Sequence, residues 1–140
     1  MINLARLQYA LLAEFARVDA GGLLTVVGAG FDRVVVPTLP SQQSVGLALR
    51  LLVPEGQAES VATLLFRPPE GPHLRVESLL PTPPDAKPHL GLIGVPLAIN
   101  LTVPLIAAGV YRWSIAIDGE EEHAITFEVE EQESPQQGRS

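Results

Sequence analysis

Hydrophobic and polar residues alternate along much of the chain, a period of two that is typical of β-strands with one buried face. The alternation is clearest in VPLAINLTV, YRWSIAI and HAITFEV, at 95–103, 111–117 and 123–129. The link DGEEE between the last two begins with Asp-Gly, which favours a tight β-hairpin turn. The pattern therefore predicts three half-buried strands, whose inward residues are Val95, Leu97, Ile99, Leu101, Val103, Tyr111, Trp113, Ile115, Ile117, Ile125, Phe127 and Val129.

The preceding chain shows the same period, except at its beginning. VGLALRLLV (45–53) is predicted to pair with SVATLLFR (60–67) through the turn PEGQAE, and HLRVESL (73–79) predicts a further short strand. The apolar residues of 4–18 fit helical spacing and alternation equally well, so periodicity leaves both open. We favour a strand from about Gln8, because the Gly-Gly pair in VDAGGL predicts a turn into the next strand.

These elements predict an all-β protein, an antiparallel β-sandwich of about seven or eight strands. Gly109 and Tyr111 favour the immunoglobulin-like type, because they match its tyrosine corner, although Ala108 stands where a proline is usual. The proline-rich LPTPPDAKPHLGLIG is predicted to be a long loop, since proline lacks the donor that a sheet needs. We expect a single domain over 1–130 and a disordered acidic and polar tail over 131–140.

Composition narrows the class of protein. Apolar residues make up 46% of the 140 positions, which predicts a globular chain, and the absence of cysteine excludes disulfides, thiolate nucleophiles and cysteine-ligated zinc. The N-terminal segment carries Arg6, Glu14 and Arg17 and lacks an uninterrupted apolar stretch, so we expect no export signal. A cytoplasmic location is therefore the expectation.

The net charge of −7 is concentrated at one end of the chain. Residues 1–117 hold equal numbers of acidic and basic side chains, which argues against nucleic-acid binding and against docking to an anionic membrane. Residues 118–133 hold acidic residues without any lysine or arginine. This end is either a solvated surface or a site that attracts a basic protein partner. The candidate interaction surface comprises Glu120, Glu121, Glu122, Glu128 and Glu130.

The stretch LTVVGAGFDRV (24–34) invites comparison with a dinucleotide-binding loop. Arg33 occupies the third glycine position, and RVVVP extends a strand where a phosphate-binding helix would begin. We therefore reject a nucleotide site. Gly28 and Gly30 are instead expected on one strand face, where they leave room for a bulge, a bend or a covering side chain.

No other residues declare a catalytic or cofactor site. His73, His89 and His123 lack ligand spacing. Asn100 opens an Asn-Leu-Thr sequon but is explained as the outward face of a strand. The serines in strand-like segments lack a Gly-x-Ser-x-Gly motif; they are Ser60, Ser78 and Ser114.

The segment YALLAEFARVDAGGLLTVVGAGFDRVVVPTLP (9–40) resembles an uncharacterised family of small bacterial proteins. The similarity lies in a strand, an acidic residue, a glycine turn, a strand that ends in a small-residue step and a proline-bounded link. AGVYRWSIAIDG (108–119) is similar to the family's later portion. The resemblance implies an all-β fold and supplies no activity, catalytic residue or cofactor.

The leading hypothesis is a non-enzymatic protein–protein interaction module without a cofactor. The alternative is a small-ligand- or metal-binding protein, or an enzyme, with a site built from loops that carry His73, His89 and Asp85 beside the acidic hairpin. A homo-oligomer, with a homodimer as the favoured form, is also expected, because Leu52 or Val26 would point away from one sheet's core.

Overall fold

The computed structural model describes residues 4–133, which form ten β-strands. Three of the strands, near the N-terminus, have only four residues each. The described residues contain no helix, so the all-β class is confirmed. The strands are β1 (Arg6–Ala13), β2 (Phe15–Val18), β3 (Leu24–Val27), β4 (Arg33–Val36), β5 (Ser41–Pro54), β6 (Glu59–Arg67), β7 (Leu74–Pro81), β8 (Leu92–Leu105), β9 (Gly109–Ile117) and β10 (Glu120–Glu131).

The strands form three sheets. One sheet has the order β1-β5-β8, a larger one has the order β4-β10-β9-β6-β7, and β2 and β3 make a separate hairpin. All pairs are antiparallel except β4 and β10, which are parallel. The strand count exceeds the predicted seven or eight because the short β2, β3 and β4 each contribute a separate element.

One hydrophobic core contains side chains from both larger sheets. The predicted inward residues of β5 and β9 are confirmed, because Val45, Leu47, Leu49, Leu51 and Val53 are buried, as are the four inward residues of β9. Ala48 and Ser114, on the opposite faces of these strands, are buried as well. The predicted inward residues of β8 and β10 are buried or half-buried. Four aromatic rings contact one another in series within this core, namely Trp113, Phe66, Tyr111 and Phe127, and the last two are stacked.

The predicted pairing of 45–53 with 60–67 is wrong. β5 lies between β1 and β8, so both of its edges are occupied, and β6 lies between β7 and β9 in the other sheet. PEGQAE therefore connects two sheets instead of closing a hairpin. Alternation indicates which side chains share a face, but it carries no information about which strand lies alongside.

The N-terminal segment is a strand, as favoured, and the Gly-Gly turn joins β2 to β3. The backbone of β2 lies against the outer face of β5 and β8. Asn100 holds it there with two hydrogen bonds to Ala16, from Ala16 N to Oδ1 (3.0 Å) and from Nδ2 to Ala16 O (2.7 Å). A Cβ on Gly46 would lie 2.8 Å from Ala16 N, so only glycine permits this approach. The side-chain amide of Asn100, the first residue of the sequon, is therefore engaged in hydrogen bonds within the fold.

The tyrosine corner expected at the start of β9 is present as a hydrogen bond. Tyr111 Oη donates to the carbonyl of Ala107 over 2.6 Å. Gly109 has a φ of +139°, and a Cβ there would lie 3.1 Å from Pro69 Cγ. Glycine is therefore the residue that fits this turn, and the corner forms with Ala108 in place of the usual proline.

The predicted C-terminal tail begins within β10. Glu131 ends the strand, and Gln132 N donates to Val36 O over 2.6 Å. Residues 134–140, the remainder of the predicted disordered tail, lie outside the described residues. The single domain over 1–130 stays a prediction.

Candidate interaction groove

A groove of about 800 Å³ lies at the end of the molecule where β5 ends and β8 begins. Its lining is partly apolar and carries the exposed Arg6, Glu120 and Glu122 at its rim, so it brings two of the five predicted acidic residues together with hydrophobic side chains. We call it the end groove. It is lined by Leu4, Ala5, Arg6, Leu52, Pro54, Leu90, Gly91, Leu92, Ile117, Glu120 and Glu122.

Two of the lining residues, Ile117 and Glu120, flank the β9–β10 hairpin turn, Asp118-Gly119. Both residues have positive φ, 50° and 89°, as a two-residue turn of the mirror-image type requires. The Asp118 carboxylate accepts hydrogen bonds from Val61 N (2.9 Å) and from Gln57 Nε2 (2.7 Å). The predicted Asp-Gly turn is confirmed, and the aspartate also ties the hairpin to the connection that precedes β6.

Leu90 and Gly91, which also line the groove, form a second turn of the same kind. His89 N donates to Leu92 O (2.8 Å) and Leu92 N donates to His89 O (3.1 Å), while Leu90 and Gly91 have φ of 54° and 80°. A leucine in the left-handed region costs about 1–2 kcal/mol, because its Cβ crowds the following carbonyl. The Leu90 side chain is 87% exposed, so no packing offsets this strain within the described residues.

The three glutamates of the β9–β10 hairpin face different surroundings. Glu122 Oε1 accepts a hydrogen bond from Leu7 N (3.0 Å), which joins β10 to β1. Glu121 lies opposite Ala116 and approaches Arg112 at 3.5 Å. The Glu120 carboxylate has no hydrogen-bond or ion-pair partner among residues 4–133, and the residue is exposed on the groove rim. It is the carboxylate most available to a ligand.

The other two predicted acidic residues lie farther along β10. Glu128 and Glu130 both form ion pairs with Arg33 of β4. Glu128 lies six positions beyond Glu122 along the extended strand, about 20 Å at roughly 3.3 Å per residue. The five glutamates therefore form two groups, one on the groove and one compensated by arginine. Whether either group binds a partner stays a prediction.

The histidines of the alternative loop-built site do not converge. His73 precedes β7, whereas His89 follows the loop after it, about 25 Å away along the strand. Within the described part of the chain no three His, Cys, Asp or Glu side chains are grouped so as to hold a metal. Ser60 and Ser114 are buried; Ser60 Oγ accepts from Gln57 Nε2 (3.2 Å) and Ser114 Oγ from Arg112 Nε (3.3 Å).

The glycines of VVGAG lie in a turn after β3, not on a strand face as expected. Both have positive φ, 66° at Gly28 and 86° at Gly30. A Cβ on Gly28 would lie 2.3 Å from Glu14 Oε1, so the expected covering side chain is that of Glu14. β4 follows directly, which agrees with the strand predicted from RVVVP.

Two hydrophobic residues that were expected to face away from the core are both half-buried. Leu52 lines the end groove, and Val26 lies in the β2–β3 hairpin. Neither forms a bare apolar face. None of residues 4–133 belongs to a helix long and apolar enough to cross a membrane.

Sequence reasoning missed the apolar part of the groove. Leu4, Leu52 and Leu90 come from three distant segments, and only the fold brings them together. One local signal was present, since Leu90 precedes a glycine in an otherwise polar, proline-rich loop.

The model of one protein family, a family of unknown function (DUF6941), matches residues 8–130. No curated protein matches the sequence. Among solved structures, the fold is similar to part of the Pseudomonas fluorescens alkylpurine DNA glycosylase AlkC bound to DNA containing an abasic site analog. That similarity has a TM-score of 0.45 at 7% identity, covers 89% of this chain, and spans about 30% of the glycosylase's length.

Proposed function

Because this chain belongs to DUF6941, a family of unknown function, we propose its function from its own surface. It is a non-enzymatic protein-interaction module that binds an extended segment of a partner protein in the end groove. The segment carries an apolar anchor and a lysine or arginine. The observation that carries this proposal is Leu90, a strained and exposed leucine on the groove wall.

The conformation and exposure of Leu90 together favour a contact role. Turns of this type prefer asparagine, aspartate or glycine at the first central position, so the choice of leucine works against folding. Exposing a leucine to water forgoes the roughly 1.5–3 kcal/mol that burial of such a side chain provides. A partner that covers Leu90 would recover this free energy, and backbone outliers of this kind cluster at binding sites.

The charges at the end groove favour a basic side chain in the bound partner segment. Glu120 is unpaired among residues 4–133 and Glu122 retains one carboxylate oxygen without a partner there, whereas Arg6 offsets only one of the two charges. A basic side chain placed between the glutamates would form charge-assisted hydrogen bonds. These groups are exposed, so their attraction should weaken as salt rises.

The fold that presents this groove is proposed to be an immunoglobulin-like β-sandwich. Two features support it: one core shared by the three-stranded and five-stranded sheets, and the tyrosine corner at Tyr111. Loops at the ends of such sandwiches are common binding surfaces. The cytoplasmic location and the absence of a cofactor stay predictions.

Selection from a displayed dodecapeptide library tests the proposed function. We expect enriched sequences to combine a basic residue with a large apolar residue. When such a peptide is titrated into ¹⁵N-labelled protein, the amides of Leu90, Gly91, Glu120 and Glu122 should shift, while those around Arg33 should not. No enrichment, or shifts confined to the β4–β10 end, would contradict the proposal.

A further inference from the structure

The free edge of β7 carries an unpaired row of backbone hydrogen-bonding groups. Among residues 4–133, β7 pairs with β6 alone, at the border of the five-stranded sheet. Thr82 N donates to Ala58 O (2.8 Å), one step beyond the pair Glu59–Pro81. Because hydrogen-bonded pairs alternate along an antiparallel ladder, the even-numbered residues of β7 bond to β6. The N–H and C=O groups of Arg75, Glu77 and Leu79 therefore point outward from the sheet.

The longest edge strand of the described residues, β8, is protected against pairing. Glu55 N donates to Gly91 O (3.1 Å), so odd-numbered residues of β8 bond to β5 and even-numbered ones face outward. Pro96 and Pro104 are even-numbered, and each removes an outward donor. Proline on an edge is a common device against association. In β7 the one proline, Pro81, is the last residue of the strand.

We propose that β7 pairs antiparallel with β7 of a second copy of this chain, with Val76 opposite Val76 of the second copy. The two five-stranded sheets then become one continuous sheet related by a twofold axis. This specifies the edge and the register of the homodimer that the sequence leads us to expect. It is independent of the end groove, from which β7 contributes no lining residue.

Charge fixes this register. With Val76 on the axis, Arg75 lies opposite Glu77 of the second copy on both sides, so two cross-strand ion pairs form on the outer face. The two side chains already contact each other within one chain, 2.9 Å from Nη2 to Oε2, and both are more than half exposed. A shifted register must still pair the outward N–H and C=O groups of odd-numbered residues. The smallest such shift in one direction places Arg75 opposite Arg75 of the second copy, and in the other direction it places Glu77 opposite Glu77. Like charges directly opposite are destabilising.

Hydrogen bonding and burial support the same register. The two pairs of Arg75 with Glu77 are the hydrogen-bonded type, which gives four backbone bonds across the axis. The pair at Val76 is then the close, non-bonded type, and these half-buried side chains extend the inner apolar face. An edge of eight residues buries less than the roughly 800 Å² per partner of a standard interface, so the dimer is weak.

The absence of cysteine allows a direct test of the register. In Val76→Cys, the two thiols would face each other across a Cα separation of about 4.5 Å, which suits a disulfide. Leu79→Cys is the matched control, because residue 79 would lie about 20 Å from its equivalent. Under mild oxidation we expect rapid crosslinking of Val76→Cys alone. Equal rates for the two variants, or no crosslinking of Val76→Cys, would overturn the proposal.

Charge exchange provides a second, independent readout. Arg75→Glu and Glu77→Arg each place like charges opposite one another, so each should weaken self-association at least tenfold in analytical ultracentrifugation. A mixture of the two variants restores both opposite-charge pairs and should form a heterodimer as strongly as the native chain self-associates. Unchanged association of the single variants, or a mixture no stronger than either variant alone, would overturn the register.

Discussion

The two tight turns that flank the end groove have almost the same backbone and opposite side-chain chemistry. Asp118-Gly119 and Leu90-Gly91 both place two residues at positive φ between antiparallel segments. Asp118 is suited to that conformation and directs its carboxylate to Val61 N and Gln57 Nε2. Leu90 is poorly suited to it and points its side chain into solvent at the groove.

Under the proposed function, this difference separates a residue that stabilises the fold from one that contacts a partner. The aspartate gains hydrogen bonds that stabilise the hairpin, whereas the leucine costs conformational energy and has no internal compensation within residues 4–133. Strain that persists at an exposed apolar position indicates a role outside folding. Changing each turn residue should therefore have opposite effects on stability.

The largest effect is expected for Asp118→Ala. The change leaves Val61 N and Gln57 Nε2 without their acceptor and keeps a residue with a Cβ at positive φ. Because hydrogen bonds to charged groups contribute about 1.5–3 kcal/mol each, the unfolding free energy should fall by about 2–4 kcal/mol in urea. Glu120→Gln, two residues away and unpaired within residues 4–133, is the control and should change it by under about 0.5 kcal/mol. If Asp118→Ala lowers the unfolding free energy by less than about 0.5 kcal/mol, Asp118 does not stabilise the hairpin through these hydrogen bonds.

An effect of opposite sign is expected for Leu90→Asn. Asparagine tolerates the left-handed region, and Asn-Gly is the preferred pair for this turn. The unfolding free energy should therefore rise by about 0.5–1 kcal/mol in the same assay. Leu92→Ala at the neighbouring half-buried position should lower it. A decrease for Leu90→Asn would mean that Leu90 packs in a way that stabilises the fold.

The smallest effect is expected from charge on the groove rim. Glu120→Gln should weaken binding of a selected basic peptide about two- to threefold at low salt and reduce the salt dependence of its Kd, because exposed pairs contribute under about 1 kcal/mol. Glu128→Gln is the matched control, since its carboxylate lies on the other acidic group beside Arg33. Equal losses for the two variants would indicate a general charge effect and no contact at the rim.

The sequence predicted the parts of this comparison that depend on local pattern. The inward residues of β5 and β9 and the Asp-Gly turn were confirmed, because each depends on residues a few positions apart. The pairing of 45–53 with 60–67 was wrong, because the choice between sheets depends on the whole topology. The end groove could not be predicted for the same reason, since its lining joins the N-terminus, β5, the Leu90 turn and the β9–β10 hairpin.

The central claim is that Leu90 is retained in a strained turn because its exposed side chain contacts the bound partner segment. The most direct measurement is the affinity of native protein and Leu90→Asn for the same selected peptide, by isothermal titration calorimetry. Losing burial of a leucine should cost at least about 1.4 kcal/mol, so the Kd should rise at least tenfold while the variant remains folded and more stable than the native chain. An unchanged Kd in a stabilised Leu90→Asn would contradict the claim.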